Sequence, residues 1–173
     1  MQMSYARFIM MIVASTVIMF VLMYLNTFAV DHIFYSQTRM WMAVVMGATM
    51  AAVMLVFMWS MYKRNSLNIL ILIVAVVSFV GALYLVRSQD TVDDVSYMKA
   101  MIPHHSIAIM TSERAHIKDP KVRLLADRII NAQVKEIAEM KKMISDLERT
   151  PPASSAPDLP SFRSRGAPPP APE

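Results

Sequence analysis

The chain has no cysteine and only three glycines in 173 residues, and each scarcity removes a class of protein. Without thiols there is no disulfide framework, no thiolate to compete for zinc, and no dependence on the redox poise of a compartment. There is no Gly-rich loop to cradle a phosphate and no Ser-His-Asp grouping to supply a nucleophile. Basic residues outnumber acidic ones 17 to 13, but they are spread along the chain without interleaved aromatics, which argues against a nucleic-acid partner.

What is abundant is apolar and sulfur-bearing. Hydrophobic residues make up 55% of the chain and 18 of them are Met, more than gap-filling in a core requires. Three uncharged runs, Phe8 to Val30, Met40 to Tyr62 and Leu67 to Val86, have 23, 23 and 20 residues, enough to cross a hydrocarbon core ~30 Å thick. The first run exceeds a signal-peptide core, and its flank "NTFAVDH" is a poor cleavage site, so it reads as a span. Residues 1–89 are therefore expected to form a three-helix membrane domain. Arg7, Lys63 and Arg64 lie on one side and Arg39 and Arg87 on the other. By the positive-inside rule the amino terminus is cytoplasmic and the carboxyl half periplasmic in a bacterial inner membrane.

In the second run Met42, Met46, Met50, Met54 and Met58 recur beside a small-residue ridge of Ala43, Gly47 and Ala51. The ridge suits close helix approach, and the Met series reads as packing rather than a Cu(I) relay. Asp31 and His32 read as interfacial polar residues, with an auxiliary ligand role as the alternative.

The carboxyl half has two pieces. Residues 90–149 are helical in pattern, while residues 150–173 carry eight prolines in 24 residues and are expected to be a disordered Pro-rich tail. Asp119 is placed as N-cap and Pro120 at a first helical position. The preceding helix is expected from Asp93 or Asp94 to Lys118, so the two form an antiparallel hairpin. About 57 residues in two helices do not enclose a core, and a second surface is required. A homo-oligomer, simplest as a dimeric four-helix bundle, supplies one; docking on the membrane helices supplies the other.

On the first hairpin helix Met98, Met101, His105, Ile109, Ser112 and His116 share one line. On the second, Val122, Leu125, Ile129, Gln133, Glu136, Met140, Met143 and Leu147 do, which puts an amide and a carboxylate inside an apolar stripe. Counting from the turn, His105 comes level with Gln133, Met101 with Ile137 and Met98 with Met140. Pro103 is expected to kink the helix and re-aim His104 and His105. Any one of these Met or His residues alone reads as core; their convergence reads as a soft-metal site. Thioethers select Cu(I), and Ag(I) by the same softness, while imidazole suits either copper state. The expected metal ligands are Met98, Met101, His104, His105 and Met140, with Gln133 and Glu136 orienting a histidine. Met110, Glu113, His116 and Met143 are auxiliary candidates, Met110 lying about 120° off the stripe.

"MIPHHSIAIM" followed by "ADRIINAQVKEIAEM" resembles domain-of-unknown-function family 305, a ferritin-like helical family. The matching positions are Met101, His104, His105, Ala108, Ile109 and Met110, then Ala126, Ile130, Gln133, Glu136, Ile137 and Met140, within about Val92 to Leu147. The resemblance implies a ferritin-like fold and, as in some periplasmic members, copper binding through Met and His in metal homeostasis or resistance, with periplasmic metal-handling proteins as partners. Many members are soluble or carry tandem copies; here one copy follows a three-helix anchor, so their stoichiometry does not transfer. The expected role is holding or passing metal, not catalysis. Two alternatives stand beside it. Glu113 and His116 have the Glu-x-x-His spacing of di-iron sites, which would make iron the metal of an oxidase or ferroxidase. The Met residues would otherwise be filler in a plain membrane scaffold.

Overall fold

A computed structural model describes residues 4–153 and 155–161, which form five α-helices and two short 3-10 turns, with no strand among the described residues. Helices α1 (Tyr5–Leu22), α2 (Gln37–Phe57) and α3 (Asn65–Ser88) are each long and apolar enough to cross a membrane. Helices α4 (Asp94–Arg114) and α5 (Pro120–Arg149) follow as an antiparallel hairpin.

The small face of α2 is what joins the spans. Ala43, Gly47 and Ala51 are buried, and a Cβ on Gly47 would lie 2.3 Å from Thr16 Oγ1 of α1. The ridge is thus filled by a helix of the same chain. Thr16 satisfies its hydroxyl within α1 by donating to the Ile12 carbonyl at 2.8 Å. At one end of the bundle Phe8, Leu55 and Tyr62 pack together, and the buried Asn68 accepts from Tyr5 Oη (2.8 Å) and donates to the Tyr62 carbonyl (2.9 Å). Arg7, Lys63 and Arg64 are exposed. Toward the other end, Arg39 Nη1 donates to the Met23 carbonyl at 2.6 Å and lies over the Tyr24 ring, which gives the end of α1 a cationic cap.

Helix α1 stops at Leu22, eight residues before the apolar run ends. The remainder turns away and includes a 3-10 turn at Val30–His32. Composition does not separate the two, because this loop is apolar for a different reason: Phe34 packs against the hairpin core of Met98, Ile102, Ile109, Ile137, Met140 and Ile144. The Phe28 amide donates to the buried Ser106 Oγ (2.7 Å), His32 Nδ1 lies 3.0 Å from the same oxygen, and Lys141 Nζ meets Asp31 Oδ2 at 2.6 Å. The second surface the hairpin needs therefore comes in part from its own membrane domain, and Asp31 and His32 serve that docking.

The hairpin termini follow local rules. Gln89 ends α3 in the left-handed region (φ 61°), and Asp93 caps α4 by accepting from the Ser96 amide at 2.7 Å. Asp119 accepts from the amides of Lys121 and Val122, with Pro120 at the first position of α5. Helix α4 ends at Arg114 rather than Lys118, so Ala115 to Asp119 make the connection. Beyond Arg149 the described residues carry no helix or strand; the expected disorder of the tail falls, from residue 162 onward, outside the described residues.

Candidate metal centre

The apolar stripe of α5 is wider than the seam it shares with α4. Ala126, Ile137, Met140 and Ile144 are buried there, whereas Val122, Leu125 and Met143 stay about half exposed (49, 49 and 48%). The seam is thus turned away from the line of Leu125, Ile129 and Glu136, because the first loop engages the hairpin at Ser106 and Lys141. On α4, Met98, Ile102 and Ile109 are buried, Met101 and His105 are half-buried, Ser112 lies at the margin and His116 is exposed. The register also differs from a simple count: His105 meets Glu136, one turn beyond Gln133, as the five-residue connection allows.

The structure sorts the expected ligands into three groups. Met98 and Met140 meet in the core, and with Met143 they line an open groove of about 850 Å³ that also borders Gln89, Asp93, Asp94 and Asp158. His105, Glu136 and Gln133 form a polar layer: His105 Nδ1 lies 3.0 Å from Glu136 Oε2, and Gln133 Nε2 donates to the same oxygen at 3.3 Å. The Glu136 oxygen is out of line for a good hydrogen bond, so the buried Nδ1 has close electrostatic contact without full directional pairing. Met101 and His104 line a cavity of about 330 Å³ against Ser36, Arg39 and Gln89 of the membrane domain, and Met101 also packs on the core.

Helix α4 runs unbroken through the buried Pro103, and the two histidines part company rather than entering one cavity. Their ring centroids are 6.3 Å apart at an interplanar angle of 73°. Burial, chiefly, pushes the His105 pKa below its ordinary value; Glu136 opposes this and His104 adds to it. His105 is thereby held toward the neutral imidazole, the form that donates a lone pair to a metal. Met110 is half-buried, and Glu113 and His116 are exposed. Because α4 ends at Arg114, Glu113 and His116 do not share a helical face, and the di-iron spacing is not built. Among the described residues no three His, Asp or Glu side chains are grouped to hold a metal, so a metal site here has to draw on thioethers.

Three docking residues, Phe28, Phe34 and Ser106, escape a reading of the sequence. Ser106 sits in the histidine motif but gives no periodic signal, Phe28 merges into the first apolar run, and Phe34 lies in the short loop past its end.

Comparison with known proteins places the hairpin. Residues 94–167 match the family described as Domain of unknown function (DUF305). The carboxyl-terminal segment is thus similar to that family. Over 77 residues it is 38% identical to "Uncharacterized protein L153" of Acanthamoeba polyphaga mimivirus, an alignment covering 43% of this chain and 51% of the relative. The chain thus spans about half the length of that curated relative. No solved structure matches it. The matched segment begins at α4, directly after the third apolar helix.

Proposed function

We propose that the DUF305-like hairpin holds Cu(I), or Ag(I) in its place, as cargo, in metal homeostasis or resistance at the periplasmic face of a bacterial inner membrane. The observation that carries this reading is the groove lined by Met98 of α4 and by Met140 and Met143 of α5. Three thioethers from two helices, in a chain without thiols, are a soft donor set that suits a monovalent coinage metal better than iron or zinc. Met98 and Met140 are only 6 and 8% exposed and would hold the ion at the floor of the groove, while the half-exposed Met143 stands at its open side.

His105 is the imidazole donor of the neighbouring layer, with Glu136 and Gln133 fixing its orientation, since a carboxylate is a hard ligand but a good acceptor. Met101 and His104 offer further donors at the cavity shared with the membrane domain. The domain acts as a holder rather than an enzyme, and soluble periplasmic metal-handling proteins deliver or collect the ion. The exposed Arg7, Lys63 and Arg64 support a cytoplasmic amino terminus, and Arg39 on the opposite side is engaged with Met23 and Tyr24.

The test is metal analysis of the purified full chain after growth with copper, silver or iron, followed by anaerobic competition against a Cu(I) chelator. Retention of copper or silver with a sulfur-dominated X-ray absorption spectrum is expected. Retention of iron, or of no metal, overturns the reading.

A further inference from the structure

One line of α5 remains largely uncovered, Leu147 at its end packing in part on the hairpin core, and its residues are arranged symmetrically. Leu125 and Ile129 stand eleven and seven residues before Glu136, and Met143 and Leu147 stand seven and eleven after it. At about 100° per residue these five fall within ~40° of each other. Leu125, Ile129 and Met143 are 49, 36 and 48% exposed, and the Glu136 side chain 48%. A helix face that reads the same in both directions is complementary to itself when a second helix runs antiparallel. Ile129 then meets Met143 of the second copy, Leu125 meets Leu147 of the second copy, and the two Glu136 layers face each other.

The membrane imposes the same geometry. Two copies in one bilayer are related by a two-fold axis along the membrane normal. Helix α4 carries most of the contact with the membrane domain, α5 adding the Lys141 to Asp31 pair, since Tyr97, Met101 and His104 face Ser36, Arg39 and Gln89 while Met98 and Ile109 face α5. The normal therefore runs across the hairpin helices, and rotation about it turns α5 antiparallel to its copy.

Charge agrees with this register. With Glu136 at the axis, Lys135 falls beside Glu139 of the second copy, and Arg128 beside Asp146 of the second copy. Arg128, Lys135 and Glu139 are exposed and make no ion pair among the described residues, while Asp146 already pairs with Arg149 of its own helix. Each Glu136 arrives accepting a hydrogen bond from Gln133 Nε2 of its own chain at 3.3 Å, with His105 Nδ1 3.0 Å from the same oxygen.

We propose that this face docks on the same face of a second copy, giving a four-helix assembly in which both chains contribute His105, Glu136 and Gln133 to one central polar layer. The proposal does not depend on copper. Because the chain has no native Cys, engineered single cysteines report the register cleanly. Ile129→Cys and Met143→Cys chains carrying different tags are to be co-expressed, purified in native membranes and oxidised. The mixed Ile129→Cys/Met143→Cys disulfide is expected, with loss of either self-linked product, because like positions lie about 21 Å apart along the helices. Self-linking through residue 129 would indicate parallel helices and overturn the proposal, as would absence of any linking. The unmodified full chain weighed in nanodiscs supplies the second reading: a dimer that Ile129→Glu converts to monomer supports it, and a monomeric parent refutes it.

Discussion

Ser106 on α4 and Phe28 on the first loop are joined by a 2.7 Å hydrogen bond between the serine hydroxyl and the phenylalanine amide, 78 residues apart in the chain. This contact, with the Asp31 to Lys141 ion pair beside it, couples the membrane domain to the DUF305-like hairpin. Ser106→Ala removes the acceptor and is expected to cost about 1 kcal/mol of docking, which raises hydrogen exchange at the Phe28 amide about fivefold. Unchanged protection at Phe28 would show that Phe34 and the Asp31 to Lys141 pair hold the loop without it.

The same contact gives docking a pH dependence. Burial, chiefly, pushes the His32 pKa below the ordinary 6.5, Lys141 adds to the shift, and Asp31 opposes it. A histidine with a depressed folded pKa contributes stability that is present above its unfolded value and lost as pH falls through the folded one. Over that interval Asp31 stays ionised, because its hydrogen bond to Lys141 holds it below the usual carboxylate range. Exchange at Phe28, corrected for its intrinsic pH dependence, should therefore rise as the pH is taken below about 6.5, and His32→Gln should flatten the profile.

Within the groove, Met98→Leu and Met140→Leu keep volume while removing the thioether, and these two are expected to weaken Cu(I) binding more than the remaining single changes. Glu136→Ala should cost about 10- to 100-fold through loss of His105 orientation. Met110, outside the groove, serves as the control, and Met110→Leu should leave the chelator titration unmoved. Parent-like affinity in both Met98→Leu and Met140→Leu would remove the groove as the site.

Gly47→Ala drives a methyl to within 2.3 Å of Thr16 Oγ1 and should destabilise the α1/α2 contact by roughly 1–3 kcal/mol. Thr16→Ala in the same chain withdraws the clashing oxygen and should recover part of that loss in thermal unfolding in detergent. A Gly47→Ala chain as stable as the parent would mean that α1 shifts freely on α2.

For topology, a cysteine at Ser155 should react with a membrane-impermeant thiol reagent on intact spheroplasts, and one at Asn65 should not. The reverse pattern would put the hairpin in the cytoplasm.

The sequence by itself determined the elements whose causes are local. Three long uncharged runs yield three apolar helices, Asp119 and Pro120 start α5, Asp93 starts α4, and the paired motif marks the segment that matches the family. Ala43, Gly47 and Ala51 mark a close contact because small residues have one main use between membrane helices. Tertiary structure decided what depends on which apolar surfaces meet. The end of the first run is a docking loop rather than helix, because the Phe28 amide, and Phe34 just past the run, answer to a hairpin distant in sequence. The stripe on α5 is broader than one seam, so periodicity found the face but not the half of it that α4 covers, nor the turn of register that brings His105 to Glu136. The expected ligands form three groups instead of one, because a helix places adjacent histidines about 100° apart and only packing partners choose where each points.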